Sequence, residues 1–180
     1  MERILADLVC ESAFIVRRDV LCFAGGAFKV NNLAGEPLFY VRIALSFRGD
    51  LHFLDGANKE HNLMIASPRR ILDSLAPYDL VDVGRNERVG SIQRIPRRRA
   101  WTVFDRTERE AGVVLSHRKG LTLSATCRES PGSIEVCRLK YHFNPLVPTA
   151  TAEFLPGGQT DMDRRLSVAS VLLICAISGI

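Results

Sequence analysis

Leu166-Ser-Val-Ala-Ser-Val-Leu-Leu-Ile-Cys-Ala-Ile-Ser-Gly-Ile180 decides how this chain folds. It carries no charge, and its small residues Ser167, Ala169, Ser170, Ala176 and Ser178 are scattered among the aliphatic ones rather than gathered on a wet face. A helix that is apolar all round belongs inside a protein or inside a membrane. Upstream, Pro156-Gly157-Gly158 breaks the chain, and Thr160-Asp161-Met162-Asp163 has capping-box spacing, with acids where the helix dipole favours them. The helix is therefore expected over 161–180. The uncharged stretch rises about 22 Å, whereas a hydrocarbon core of roughly 30 Å asks for about 20 residues. Length favours a buried plug over a membrane anchor.

A plug needs something to fill, and the preceding sequence supplies it. Apolar and polar residues alternate in short runs bounded by turn residues, the period-two signal of strands. Twelve runs are expected as strands: Phe14 to Phe23, Phe28 to Asn31, Leu38 to Leu45, Leu51 to Leu54, Leu63 to Ala66, Tyr78 to Val81, Val89 to Ile95, Trp101 to Phe104, Gly112 to His117, Leu121 to Arg128, Ser133 to Phe143 and Thr149 to Phe154. Few breaks between them could hold a crossover helix, which favours an antiparallel arrangement of hairpins. A twelve-stranded barrel is wider than the eight-stranded size that side chains alone can fill. A helix about 10–12 Å across suits that interior. The fold expected is a mainly β, twelve-stranded antiparallel barrel enclosing the C-terminal helix, one domain over 1–180.

Four segments repeat within the strands. Phe28-Lys-Val-Asn-Asn32, Leu51-His-Phe-Leu-Asp55, Tyr78-Asp-Leu-Val-Asp82 and Trp101-Thr-Val-Phe-Asp105 share the order large apolar, any, apolar, any, Asn/Asp. Each reads as half of a hairpin whose terminal Asn or Asp turns the chain by hydrogen-bonding its own backbone.

Composition is that of a globular domain: 180 residues, 47% hydrophobic and 24% charged. The five cysteines Cys10, Cys22, Cys127, Cys137 and Cys175 show no Cys-x-x-Cys pair and no zinc-like grouping with histidine. They read as buried thiols of a reducing compartment, with a Cys127–Cys137 bridge as the alternative if the two lie on neighbouring strands. The acids of Met1-Glu-Arg-Ile-Leu-Ala-Asp7 do not suit a signal peptide, so a cytoplasmic location is expected, with peripheral membrane contact as an extension of it. Net charge is +4, yet residues 84–119 alone hold ten Lys/Arg against four acids. Positive charge is thus a regional feature.

This organisation resembles the tubby C-terminal-like superfamily, in particular the branch of the plant LURP-one-related proteins, their bacterial relatives and the phospholipid scramblases. The resemblance rests on the order of Phe28-Lys-Val-Asn-Asn32, Gly35-Glu-Pro-Leu-Phe-Tyr-Val41, Leu63-Met-Ile-Ala-Ser-Pro-Arg-Arg-Ile-Leu-Asp73, Tyr78-Asp-Leu-Val-Asp82, Val89-Gly-Ser-Ile-Gln-Arg94, Trp101-Thr-Val-Phe-Asp105 and the terminal apolar helix. It implies a twelve-stranded barrel around a central helix, in a fold where tubby proteins bind phosphoinositides and scramblases move lipids in a calcium-dependent way. The proline-rich tail and cysteine cluster that precede the scramblase barrel are missing here. Asp161 and Asp163, near a proposed calcium segment by that resemblance, lack an EF-hand ligand series and read as a helix start, so no metal and no cofactor is assigned.

The candidate binding residues are Arg94, Arg97, Arg98 and Arg99, with Arg85 and Arg88 just upstream and Arg69-Arg70 in a separate turn. Arginine presents a planar donor fork matched to phosphate, and a basic surface gains about 1 kcal/mol per residue at an anionic leaflet. The expected function is a non-catalytic binding or regulatory module for anionic phospholipid. A protein-interaction scaffold, in which these arginines are only solvated surface, is the competing reading. Scrambling, or catalysis in a pocket at one barrel end, ranks behind both. Nucleic acid is disfavoured because Trp101, the stacking candidate beside the cluster, falls on an inward-facing strand position. His52, His61, His117 and His142 are scattered, and no nucleophile elbow, zinc-protease motif or phosphate-binding glycine loop appears.

Overall fold

The computed structural model describes residues 12–18, 26–44, 49–56, 61–70, 75–119, 122–129, 134–142, 149–155 and 162–177. Twelve strands run in chain order: β1 Ala13–Arg18, β2 Ala27–Asn32, β3 Pro37–Ile43, β4 Leu51–Asp55, β5 Asn62–Pro68, β6 Tyr78–Asp82, β7 Glu87–Arg94, β8 Ala100–Asp105, β9 Glu110–Lys119, β10 Thr122–Glu129, β11 Glu135–His142 and β12 Thr149–Phe154. Each pairs antiparallel with its neighbours in sequence, and β1 closes onto β12, with Phe14 opposite Ala152 and Val16 opposite Ala150. Closure leaves no unpaired sheet edge. Every expected strand is present. The first is described only to Arg18; the remainder of its expected span, with Leu45, Leu121, Ser133 and Phe143 of the third, tenth and eleventh, lies outside the described residues.

The repeated segments have a common structural cause. Each forms an even-numbered strand, and a register shift falls at the same place in all four, between Val30 and Asn31, Phe53 and Leu54, Leu80 and Val81, and Val103 and Phe104. Bulges increase local twist and let a sheet curl. The terminal Asn or Asp then holds the turn. Asn32 Oδ1 accepts from the Glu36 amide at 2.9 Å, Asp82 Oδ1 from the Arg85 amide at 3.1 Å, and Asp105 Oδ1 from the Thr107 and Arg109 amides at 2.7 and 3.0 Å. The Thr107 hydroxyl and these amides hold the Asp105 carboxyl below its ordinary value.

Because hairpins alternate ends, these turns all stand at one rim of the barrel, which we call proximal. The C-terminal helix α1 (Arg164–Ile177) inserts there. Its start is set by Asp163, whose Oδ1 accepts from the Arg165 amide at 2.9 Å and whose carbonyl accepts from Leu166. That places the cap three residues beyond Thr160. Residues 156–161 and 178–180, parts of the expected cap and helix, lie outside the described residues. Leu166, Val168, Ala169, Leu172, Ile174 and Cys175 are fully buried and belong to one core cluster with inward residues of the strands, including Phe14, Val30, Phe53, Leu80, Val103 and Leu139. The plug reading of the uncharged helix holds. No helix among the described residues is long and apolar enough to cross a membrane.

Close approach of neighbouring strands, and of the segment 162–166 that enters the barrel, demands glycine at two places. A Cβ on Gly90 would clash with the Phe104 carbonyl oxygen and stand 2.9 Å from a Leu166 methyl; one on Gly112 would clash with Met162 Cε and the Arg128 carbonyl oxygen. Space, not backbone conformation, is what requires glycine here. Gly90→Ala is expected to destabilise by about 1–3 kcal/mol, the usual cost of overpacking. Urea denaturation checks this, and an unchanged midpoint would show that the β7–β8 pair and Leu166 can both shift to make room.

Candidate functional site

The eight arginines divide into three groups. Connections after odd-numbered strands stand at the distal rim, opposite the point where the helix inserts. Arg70 follows β5 there, Arg94 ends β7, and Arg97, Arg98 and Arg99 form the turn between β7 and β8. All five are exposed, and none makes an ion pair among the described residues. Arg85 instead lies in the proximal turn between β6 and β7, 3.8 Å from Glu87. Arg69, which precedes Arg70 in the β5–β6 connection, and Arg88 on β7 form the third group, drawn together over the outer wall by Asp79 and by Glu108 of the β8–β9 turn.

Local geometry fixes the β7–β8 turn. Ile95 and Ala100 close it by a 2.9 Å hydrogen bond, and the Arg98 amide donates to the Ile95 carbonyl at 3.3 Å. Pro96 occupies the second position and Arg97 the third, where φ is +62°. This is the pattern of a type II turn, whose third position normally takes glycine or asparagine. A left-handed conformation costs a residue with a side chain about 1–2 kcal/mol. Three consecutive guanidinium groups are thereby carried on a closed, four-residue turn rather than on a loose loop.

The outer-wall pair is neutralised. Arg69 donates from Nε and a terminal nitrogen to Asp79 at 2.8 and 3.0 Å and also pairs with Glu108, while Arg88 pairs with Asp79 at 2.9 Å and Glu108 at 2.7 Å. Asp79, with burial opposing and Glu108 assisting, raises the Arg69 guanidinium above its ordinary value. Two cations facing two carboxylates leave no net charge, so this group offers little to a further anion.

A second ionic cluster was not foreseen from the sequence. At the proximal rim Arg165 reaches Asp82 at 2.6 Å, Glu87 at 2.9 Å and Asp163 at 2.7 Å. Asp82 is only 1% exposed and Arg165 15%. Its neighbour Arg164 stacks on Phe154, 3.8 Å from guanidinium carbon to ring centroid. The pair of arginines that opens the helix therefore anchors it to the mouth of the barrel. A double-Arg beside an uncharged helix, and a repeated Asp at the matching rim, were the available signals; their pairing depended on topology.

Cys127 and Cys137 are cross-strand partners on β10 and β11, and with Cys175 they are buried free thiols. Burial pushes Cys127 and Cys175 up to about 12 and Cys137 well above its ordinary value, which suppresses the reactive thiolate. Cys10 and Cys22 lie outside the described residues. His52 Nδ1 meets Asn62 Oδ1 at 3.0 Å, and His142 Nε2 meets the Thr151 hydroxyl at 3.2 Å. Trp101 is 5% exposed on the inner face, so it presents no open stacking surface. Among the described residues, no three His, Cys, Asp or Glu side chains are grouped to hold a metal.

The chain shares its fold with the X-ray structure of a protein from Arabidopsis thaliana, matched over 95% of both chains with a TM-score of 0.58 and 11% sequence identity. Likeness at that identity extends to the fold alone. No family model matches the chain, and no curated protein matches it in sequence.

Proposed function

We propose that this chain is a non-catalytic, tubby-like binding module, cytoplasmic and peripheral to the membrane, whose distal rim takes anionic phospholipid headgroups. The observation that carries the reading is the set Arg70, Arg94, Arg97, Arg98 and Arg99, gathered at one rim without ion-pair partners among the described residues. Arg69, Arg88 and Arg165 are by contrast closely paired, at Asp79 and Glu108 on the wall and at Asp82 and Asp163 in the mouth. Leaving five unpaired at one place keeps their forked donors available to phosphate. At about 1 kcal/mol per basic residue near an anionic leaflet, five give useful attraction without any enclosed pocket.

Arg97→Ala, Arg98→Ala and Arg99→Ala combined are expected to weaken sedimentation with phosphoinositide vesicles by at least tenfold, at roughly 1.4 kcal/mol per tenfold step. Wild-type binding should fall as salt rises, because exposed charges are screened. Equal sedimentation with neutral vesicles, or none with either kind, would favour the scaffold reading instead.

A further inference from the structure

Four large hydrophobic side chains are exposed among the described residues: Leu33, Leu75, Val83 and Ile134. Leu33, Val83 and Ile134 occupy connections that follow even-numbered strands, at the proximal rim. Leu75 alone of the four stands at the distal rim, in the connection between β5 and β6, where it is 38% exposed. Singly exposed apolar residues are common and carry no message by themselves. Position gives this one its meaning. The Gln93 side-chain nitrogen lies 3.5 Å from the Leu75 carbonyl, and Gln93 precedes Arg94 in β7. The leucine therefore sits against the strand that leads into the arginine turn, on the same rim as the five unpaired guanidinium groups.

The two rims also differ in charge. Besides the Asp82, Glu87 and Asp163 that Arg165 pairs, the proximal one carries Glu36, Asp55, Asp105, Glu108, Glu110 and Glu129 against Arg85, Arg106, Arg109 and Arg164, an excess of carboxylates. An anionic surface would repel those carboxylates and attract the arginines, which orients the barrel before contact.

We infer that the barrel docks end-on, with its distal rim against an anionic bilayer and Leu75 inserted between the headgroups while Arg70, Arg94, Arg97, Arg98 and Arg99 hold phosphates around it. The inference rests on the proposed lipid-binding function and adds to it a pose and an apolar anchor. An exposed leucine flanked by bound cations gains by leaving water for the acyl boundary. Forked donors spread over exposed turns read surface charge rather than one headgroup, so phosphatidylserine vesicles should bind as phosphoinositide vesicles of equal charge do.

The test uses the full chain and phosphatidylcholine vesicles with and without phosphatidylserine. Leu75→Gln keeps size and charge and should weaken binding to the anionic vesicles by about tenfold, while Leu33→Gln at the opposite rim leaves it unchanged. Emission from Leu75→Trp should shift to the blue on anionic vesicles and be quenched by brominated acyl chains; Trp101 is already buried. If wild-type protein ignores anionic vesicles, the lipid-binding reading itself fails, and this pose with it. If binding is arginine-dependent but Leu75→Gln equals wild type, or Leu33→Gln loses as much, or Leu75→Trp is neither shifted nor quenched, the end-on pose alone is overturned.

Discussion

A chain cut after Leu155 is expected not to fold cooperatively. Leu166, Val168, Val171, Leu172, Leu173 and Ile174 are each at most 1% exposed in the helix. At about 1.5–3 kcal/mol per buried aliphatic side chain, their loss is on the order of 10 kcal/mol, as much as the entire net stability of a typical domain. Backbone pairing would survive on paper, since the strands hydrogen-bond to one another and not to the helix. The barrel interior, however, would be opened to water along its length. Circular dichroism and thermal melting decide it: loss of the cooperative transition is expected, and a soluble truncated chain with a sharp melt would show that the wall is stable alone. Leu172→Ala is the graded version, with a cost of about 2–5 kcal/mol for a truncated core leucine.

The second large effect concerns the mouth of the barrel. Arg165→Met leaves the Asp82 carboxylate, 1% exposed, without its cationic partner. Breaking a buried pair by removing one member costs about 3–5 kcal/mol, because the remaining charge is stranded away from water. Asp82→Asn should cost less, since Arg165 keeps Asp163 and Glu87. Replacing both, as Asp82→Leu with Arg165→Met, should recover most of the loss, since a well-packed apolar pair often matches a buried ionic one. Urea midpoints of the three variants provide the comparison. If Arg165→Met alone is neutral, the cluster orients the helix without stabilising it.

The strands were legible because barrel walls bury one face and wet the other, and alternation such as Phe14, Val16 against Arg17 records that directly. The interior helix was legible for the opposite reason, having no wet face. Hidden from the sequence was whatever depends on which strand ends meet. Arg88 and Arg94 share β7, yet one is locked to Asp79 and Glu108 on the wall and the other stands at the distal rim. Spacing of six along a strand carries a residue across most of the barrel height, at about 3.4 Å per residue. Charge counted along the chain therefore merged groups that the fold separates. Gly90 and Gly112 gave no signal of their own either, since glycine within a strand announces close approach but not to what.

The helix follows all twelve strands in the chain, and this order shapes how the protein is made. Each hairpin joins neighbours in sequence and can form as it emerges from the ribosome, whereas the β1–β12 seam joins residues about 140 positions apart and costs roughly 2 kcal/mol more in loop entropy than a hairpin. Until the helix is synthesised, the inward residues of the wall have nothing to pack against. The nascent chain thus passes through a stage of formed hairpins and exposed interior, the kind of species that aggregates or recruits chaperones. The seam and the helix are thus the last parts of the barrel that the growing chain supplies, and the Arg165–Asp82 pair joins that last part to the strands made before it.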